Sequence, residues 1–150
     1  MTSPQILSIW RVLENKILLD TGPLVAMLDR NDAYHIWAVD QTTSLKPPFL
    51  ICEAVLTEAF FILRRGTGTV KPLLRLLSSG RLAVNFSYGS HAEGVNELME
   101  KYADRPISFA DACLVRMAEI TLNARIFTLD NDFEVYRKKG NQIIQILAPF

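Results

Sequence analysis

Short apolar runs alternate with longer stretches whose apolar residues recur every three or four positions, and that alternation covers nearly the whole chain. Ile17-Leu18-Leu19 predicts a strand over 16–20, and helices follow over 23–28 and about 35–45. Pro47-Pro48 breaks the chain ahead of a short apolar run at 49–52. A long helix is expected over about 54–65, stopped by Gly66, and another over 70–79, stopped by Gly80. A strand over 81–86, helices over 90–102 and 108–123, and a strand over 125–129 continue the pattern. A short helix over 133–138, closed by Gly140, and a last strand over 142–147 complete it. Strands alternating with helices predict an α/β domain with a mainly parallel sheet and helices on both faces. In such sheets ligands bind beyond the carboxyl ends of the strands. Ahead of the first strand, the spacing of Ile6, Leu7, Ile9, Trp10 and Leu13 is that of a short amphipathic helix.

Four carboxylates interrupt this apolar pattern. Asp20 ends the first strand, and Asp130 ends the run Ile126-Phe127-Thr128-Leu129. Glu58 falls mid-helix with apolar residues on nearly every side, and Asp111 lies within Phe109-Ala110-Asp111-Ala112-Cys113-Leu114. A buried carboxylate costs several kcal/mol unless it is paired, hydrogen-bonded or bound to a metal. Each acid also has a plainer reading. Asp20 or Thr21 caps the next helix, Ser108 and Asp111 form a capping box, Asp130 caps a following turn, and Glu58 snorkels to solvent. Four such acids in one small domain suggest a hard-cation site, because Mg²⁺ and Mn²⁺ prefer carboxylate and water oxygens. Only His35 and His91 exist and neither has a motif, so serine–histidine and cysteine–histidine schemes fit poorly. His35 does follow Asp32 by three residues, a ligand-like spacing, but a surface helix position is the plainer reading. No phosphate-binding glycine loop is present.

Composition changes this picture little. The 150 residues are 49% hydrophobic and 21% charged, as in an ordinary globular domain. Cys52 and Cys113 stand far apart in apolar stretches, which predicts reduced core thiols in a cytoplasmic protein. The most hydrophobic stretch, 49–63, carries Glu53 and Glu58 and is shorter than a bilayer span, so no membrane role is expected. Net charge is zero, yet with the four acids set apart the other 12 face 16 bases. Net charge therefore does not exclude a nucleic-acid partner.

Taken in order, Leu18-Leu19-Asp20-Thr21-Gly22-Pro23-Leu24, Thr57-Glu58-Ala59, Phe109-Ala110-Asp111-Ala112 and Thr128-Leu129-Asp130-Asn131-Asp132-Phe133 resemble the PIN-domain family. Within that family the chain is most similar to VapC-like toxins, the ribonuclease halves of toxin–antitoxin pairs. The resemblance implies a three-layer α/β/α PIN-like domain over 16–150, behind an N-terminal extension over 1–15. It implies hydrolysis of RNA phosphodiester bonds that depends on Mg²⁺ or Mn²⁺. Asp20, Glu58, Asp111 and Asp130 fall on the family's acidic cluster as catalytic and metal-binding residues, with Asp20 and Asp111 the first choices for direct ligation. Asp132 falls on an additional acidic position, Thr128 matches a supporting hydroxyl, and Thr21 follows the first aspartate as expected. The implied partners are RNA, a cognate antitoxin protein and a second copy of the chain in a homodimer. Lys46, Arg64, Arg65 and Arg116 are candidates to hold the RNA backbone, set against the plainer reading of an ordinary solvated face.

Two other readings compete. A non-catalytic binding module would keep the fold, but would have no reason to hold all four carboxylates. A receiver-like phospho-acceptor domain built on Asp20 needs a lysine at the end of a late strand, and 142–147 offers none.

Overall fold

The computed structural model describes residues 15–150, so the expected amphipathic helix at the N-terminus lies outside the described residues. Five parallel strands form the central sheet in the order β3-β2-β1-β4-β7. They are β1 (Lys16–Leu19), β2 (Phe49–Ile51), β3 (Leu82–Val84), β4 (Ala124–Phe127) and β7 (Ile146–Leu147). Leu18 of β1 pairs with Leu50 on one side and with Ile126 on the other. The three central strands are largely buried, which is why Ile17–Leu19, Phe49–Ile51 and Ile126–Phe127 read as apolar runs without polar alternation.

Among the described residues six α-helices flank this sheet: α1 (Thr21–Leu28), α2 (His35–Thr42), α3 (Glu53–Gly66), α4 (Lys71–Ser78), α5 (Tyr88–Lys101) and α6 (Phe109–Ile120). Helix α1 packs on α2 and α3, α5 packs on α6, and α6 lies against β1 and β4. The most buried helix is α6, where Ala110, Ala112, Cys113, Leu114, Val115, Met117 and Ala118 all leave solvent. A helix apolar around most of its circumference belongs in a core, and the first turn of α6 holds half-buried Asp111 at the edge of that core. Cys52 and Cys113 are free, buried thiols, one at the start of α3 and the other within α6. The expected α/β/α architecture is thus the observed one.

Two expected elements differ. No helix spans 133–138; a single 3₁₀ turn, Asn131–Glu134, is followed by β5 (Arg137–Lys138). The Arg137 guanidinium donates to the carbonyls of Glu134, Val135 and Tyr136, occupying acceptors that a continuing helix would need. Buried Tyr136 meets Phe133 and Tyr102 edge to face, which anchors the turn to the core. Gly140, at φ +85°, turns the chain into β6 (Gln142–Ile143) and does not terminate a helix. The expected last strand is accordingly divided. β6 pairs only with β5 in a small antiparallel hairpin, while β7 joins the central sheet beside β4.

Candidate metal centre

Asp20 and Asp130 each sit where a strand gives way to a helical turn, at one end of the sheet, and Asp111 from the first turn of α6 and Glu58 from within α3 join them in the same cleft. β1 stops at Leu19, and Asp20 caps α1 by accepting from the Thr21 N–H at 2.8 Å. Its other oxygen accepts from the Thr128 hydroxyl at 2.7 Å, just beyond β4. That hydroxyl, fully buried, accepts in turn from the Asp130 N–H at 2.9 Å. Asp130 caps the 3₁₀ turn by accepting from the Asp132 N–H at 2.9 Å. Ser108 caps α6 by accepting from the Asp111 N–H at 3.0 Å, the capping-box geometry read from the sequence. Thr21 donates its hydroxyl to Glu58 at 2.7 Å and so ties α1 to α3.

These residues share one cleft of about 910 Å³. Six carboxylates line it, those of Asp20, Asp32, Glu58, Asp111, Asp130 and Asp132, and no Lys, Arg or His does so among the described residues. Carboxylate oxygens of Asp111, Asp130 and Asp132 all lie within 4.8 Å of one another, a spacing that can hold one cation. Burial raises the Asp20 carboxyl to about 6; its hydrogen bonds from Thr128 and Thr21 oppose that shift, and the charges of Asp130 and Glu58 add to it. Asp111 rises to about 7, first through burial and then through the charges of Asp20 and Asp130. The nearby Tyr136 phenol is also pushed up, by burial and then by Asp111, Asp132 and Asp130. Clustered carboxylates without a counter-cation, held rigidly by caps, are the donor set that suits a hard divalent ion.

Asp20, Thr21, Glu58, Asp111, Asp130 and Asp132 are therefore brought together, with Thr128 directly beneath. One expectation needs correcting: Glu58 is exposed, and its sequence neighbours Phe61 and Ile62 are 61% and 43% exposed, so its surroundings are not a core. The candidate RNA-backbone cations do not line the cleft. Arg65 stacks over Phe61 near the end of α3, beside exposed Arg64, and Arg116 pairs with Glu119 at 3.4 Å. Lys46 lies at the opposite end of the sheet, around a cavity of about 220 Å³ with Lys16 and Arg125. His35 donates to the Ala26 carbonyl and takes no part in the cleft. Asp32 and Tyr34 do line it; the sequence marked Asp32 only by its spacing to His35, and Tyr34 only by the turn-rich stretch that joins α1 to α2.

The fold and site define a parallel-sheet α/β domain with an acid-lined cleft at its strand ends, whose oxygen donors suit a divalent cation. A sequence model of the PIN domain matches residues 17–139, and the chain belongs to the PIN-domain family. Membership sets aside the receiver-like reading. Among solved structures, VapC20 of Mycobacterium tuberculosis, described as a sarcin–ricin-loop-cleaving toxin, matches with a TM-score of 0.70 at 24% identity. The match covers 80% of this chain and 94% of that one, and it shows a shared fold. No curated protein matches the sequence.

Proposed function

We propose that this chain is a metal-dependent endoribonuclease that hydrolyses RNA phosphodiester bonds, as the toxin of a toxin–antitoxin pair. The observation that carries the reading is the convergence of Asp111, Asp130 and Asp132 in a cation-free cleft of a PIN-family chain. The likeness to VapC20 supports the toxin assignment. Asp111, Asp130 and Asp132 hold the ion, with Mg²⁺ or Mn²⁺ favoured by an all-oxygen donor set. Asp20, whose oxygens both accept short hydrogen bonds, adds negative charge behind them, and Glu58 adds it from the α3 side. Bound there, a divalent ion supplies positive charge against a phosphate and makes water a better nucleophile. Thr21 and Thr128 fix the Asp20 and Glu58 carboxylates and Ser108 fixes the backbone that carries Asp111 before substrate arrives, so that little reorganisation is left for the reaction. The intact acid set speaks against a non-catalytic module. A cognate antitoxin, a homodimer and a cytoplasmic setting follow from the same reading; among the described residues no helix is long and apolar enough to cross a membrane.

Incubating purified protein with total RNA in Mg²⁺ or Mn²⁺, with an EDTA control and an Asp111→Asn variant alongside, tests the proposal. Discrete metal-dependent cuts that the variant does not make are expected. A folded wild type that binds neither Mn²⁺ nor RNA refutes it.

A further inference from the structure

RNA carries a negative charge on every phosphate, and RNA-binding surfaces usually attract it with Lys and Arg. This cleft offers six carboxylates and no such cation among the described residues. Away from the ion, its walls repel a phosphate backbone and suit the uncharged face of a base. Tyr34, Ile62 and Phe150 line the same cleft at 44%, 43% and 57% exposure, so apolar surface is open there. Tyr34 alone stands on a pre-ordered loop between α1 and α2. Asp29 accepts from the Asn31 N–H at 2.9 Å, Asp32 accepts from the Tyr34 N–H at 2.8 Å, and the Tyr34 carbonyl starts α2 by accepting from Ala38. Among the described residues no aromatic ring packs on Tyr34, and its hydroxyl has no hydrogen-bond partner.

We infer that Tyr34 is a stacking platform for an unpaired nucleobase of an RNA strand held in this cleft. This rests on the ribonuclease reading and names a residue that positions its substrate. A base inside a duplex has both faces covered and cannot take up the ring, whereas an unpaired base of any identity presents a free π-face. The rigid loop keeps the entropic cost of ordering the ring small.

A short single-stranded RNA carrying 2-aminopurine, bound in Ca²⁺ (which accepts the same oxygen ligands), reads stacking directly as fluorescence quenching. Wild type should quench it, Tyr34→Phe should quench equally, and Tyr34→Ala should lose the quench and bind roughly 5- to 150-fold more weakly. The matching duplex should bind more weakly and ignore the substitution. Equal binding and quenching by Tyr34→Ala, or a duplex bound as tightly as the single strand, overturns the inference even if the protein cleaves RNA. Tyr34-dependent quenching by a protein that cuts no RNA in Mg²⁺ or Mn²⁺ upholds the inference and removes the ribonuclease reading. Circular dichroism of the two variants confirms that this exposed position leaves the fold intact.

Discussion

Replacing Asp20 with Asn should stabilise the metal-free protein near neutral pH, although it removes a buried residue's native side chain. The Asp20 carboxyl is raised from 3.8 to about 6, chiefly by burial, so its ionisation in the fold is disfavoured by about 3 kcal/mol. The folded state holds this proton more tightly than the unfolded chain does. Below the unfolded value both states are protonated and nothing is lost; as pH rises from about 4 to about 7 the folded state is penalised and stability falls. Asp111, raised to about 7, acts with the same sign over the same range. Asparagine cannot ionise and so avoids the penalty. It keeps the acceptor for the Thr21 N–H, but its amide turns the Thr128 hydroxyl proton away, a loss of about 1 kcal/mol. The net gain of about 2 kcal/mol near pH 8 corresponds to a rise in Tm of about 4–8 °C for a chain of this size. Thermal or urea unfolding in EDTA at about pH 5 and pH 8 measures it, and Mn²⁺ should shrink or reverse the difference, because the ion binds less tightly to a cleft that lacks the Asp20 charge. A wild type whose stability climbs between those pH values in EDTA, or an Asp20→Asn variant destabilised at about pH 8, refutes the reasoning.

Asp132→Asn should weaken Mn²⁺ binding, followed by calorimetric titration, by about as much as Asp130→Asn, on the order of tenfold or more, because both belong to the same close triad. Full affinity in the Asp132 variant would remove that residue from the ligand set. Thr128→Val leaves the Asp20 carboxylate and the Asp130 N–H without their shared partner in a fully buried position, and should cost about 2–3 kcal/mol in urea unfolding. Ser108→Ala removes the α6 cap and should cost about 1 kcal/mol, with a smaller loss of Mn²⁺ affinity than either aspartate variant, since the cap only orients Asp111.

The parallel sheet was legible because β1, β2 and β4 are buried on both faces, and such strands leave unbroken apolar runs. The acids were legible for a related reason: a carboxylate at the end of such a run has few structural excuses. Legibility failed where tertiary contacts outweigh local pattern. In 133–138 the spacing of Phe133 and Tyr136 fits a helix, but both rings are claimed by the core and Arg137 takes the carbonyls. Glu58 misled in another way. Phe61 and Ile62 suggested a core, whereas both are exposed, Ile62 on the wall of the cleft and Phe61 beneath Arg65. Asp32 and Tyr34 left no periodic signal, because turn residues are placed by hydrogen bonds such as the one from the Tyr34 N–H to Asp32.

Zero net charge hides a polarity that only the fold reveals. Six carboxylates gather at the carboxyl ends of the strands, while Lys16, Lys46 and Arg125 surround a cavity at the amino ends with no acid lining it among the described residues. The two poles are one strand apart, about 13 Å along β1. An anionic polymer meets repulsion at the pole where the chemistry belongs, so long-range attraction cannot guide it there without help. A cation held by Asp111, Asp130 and Asp132 offsets part of that repulsion, which makes the cleft's charge state depend on its occupancy. Raised Asp20 and Asp111 carboxyls are the cost of keeping these acids together without the ion, and relief of that strain is free energy available for binding it. Capping softens the same cost, because Asp20 and Asp111 sit at the positive ends of α1 and α6, where a carboxylate is best tolerated. Asp111, Asp130 and Asp132, which would hold the ion, all belong to turns that Ser108 and Asp130 cap, so the site cannot drift without unravelling the turns that define it.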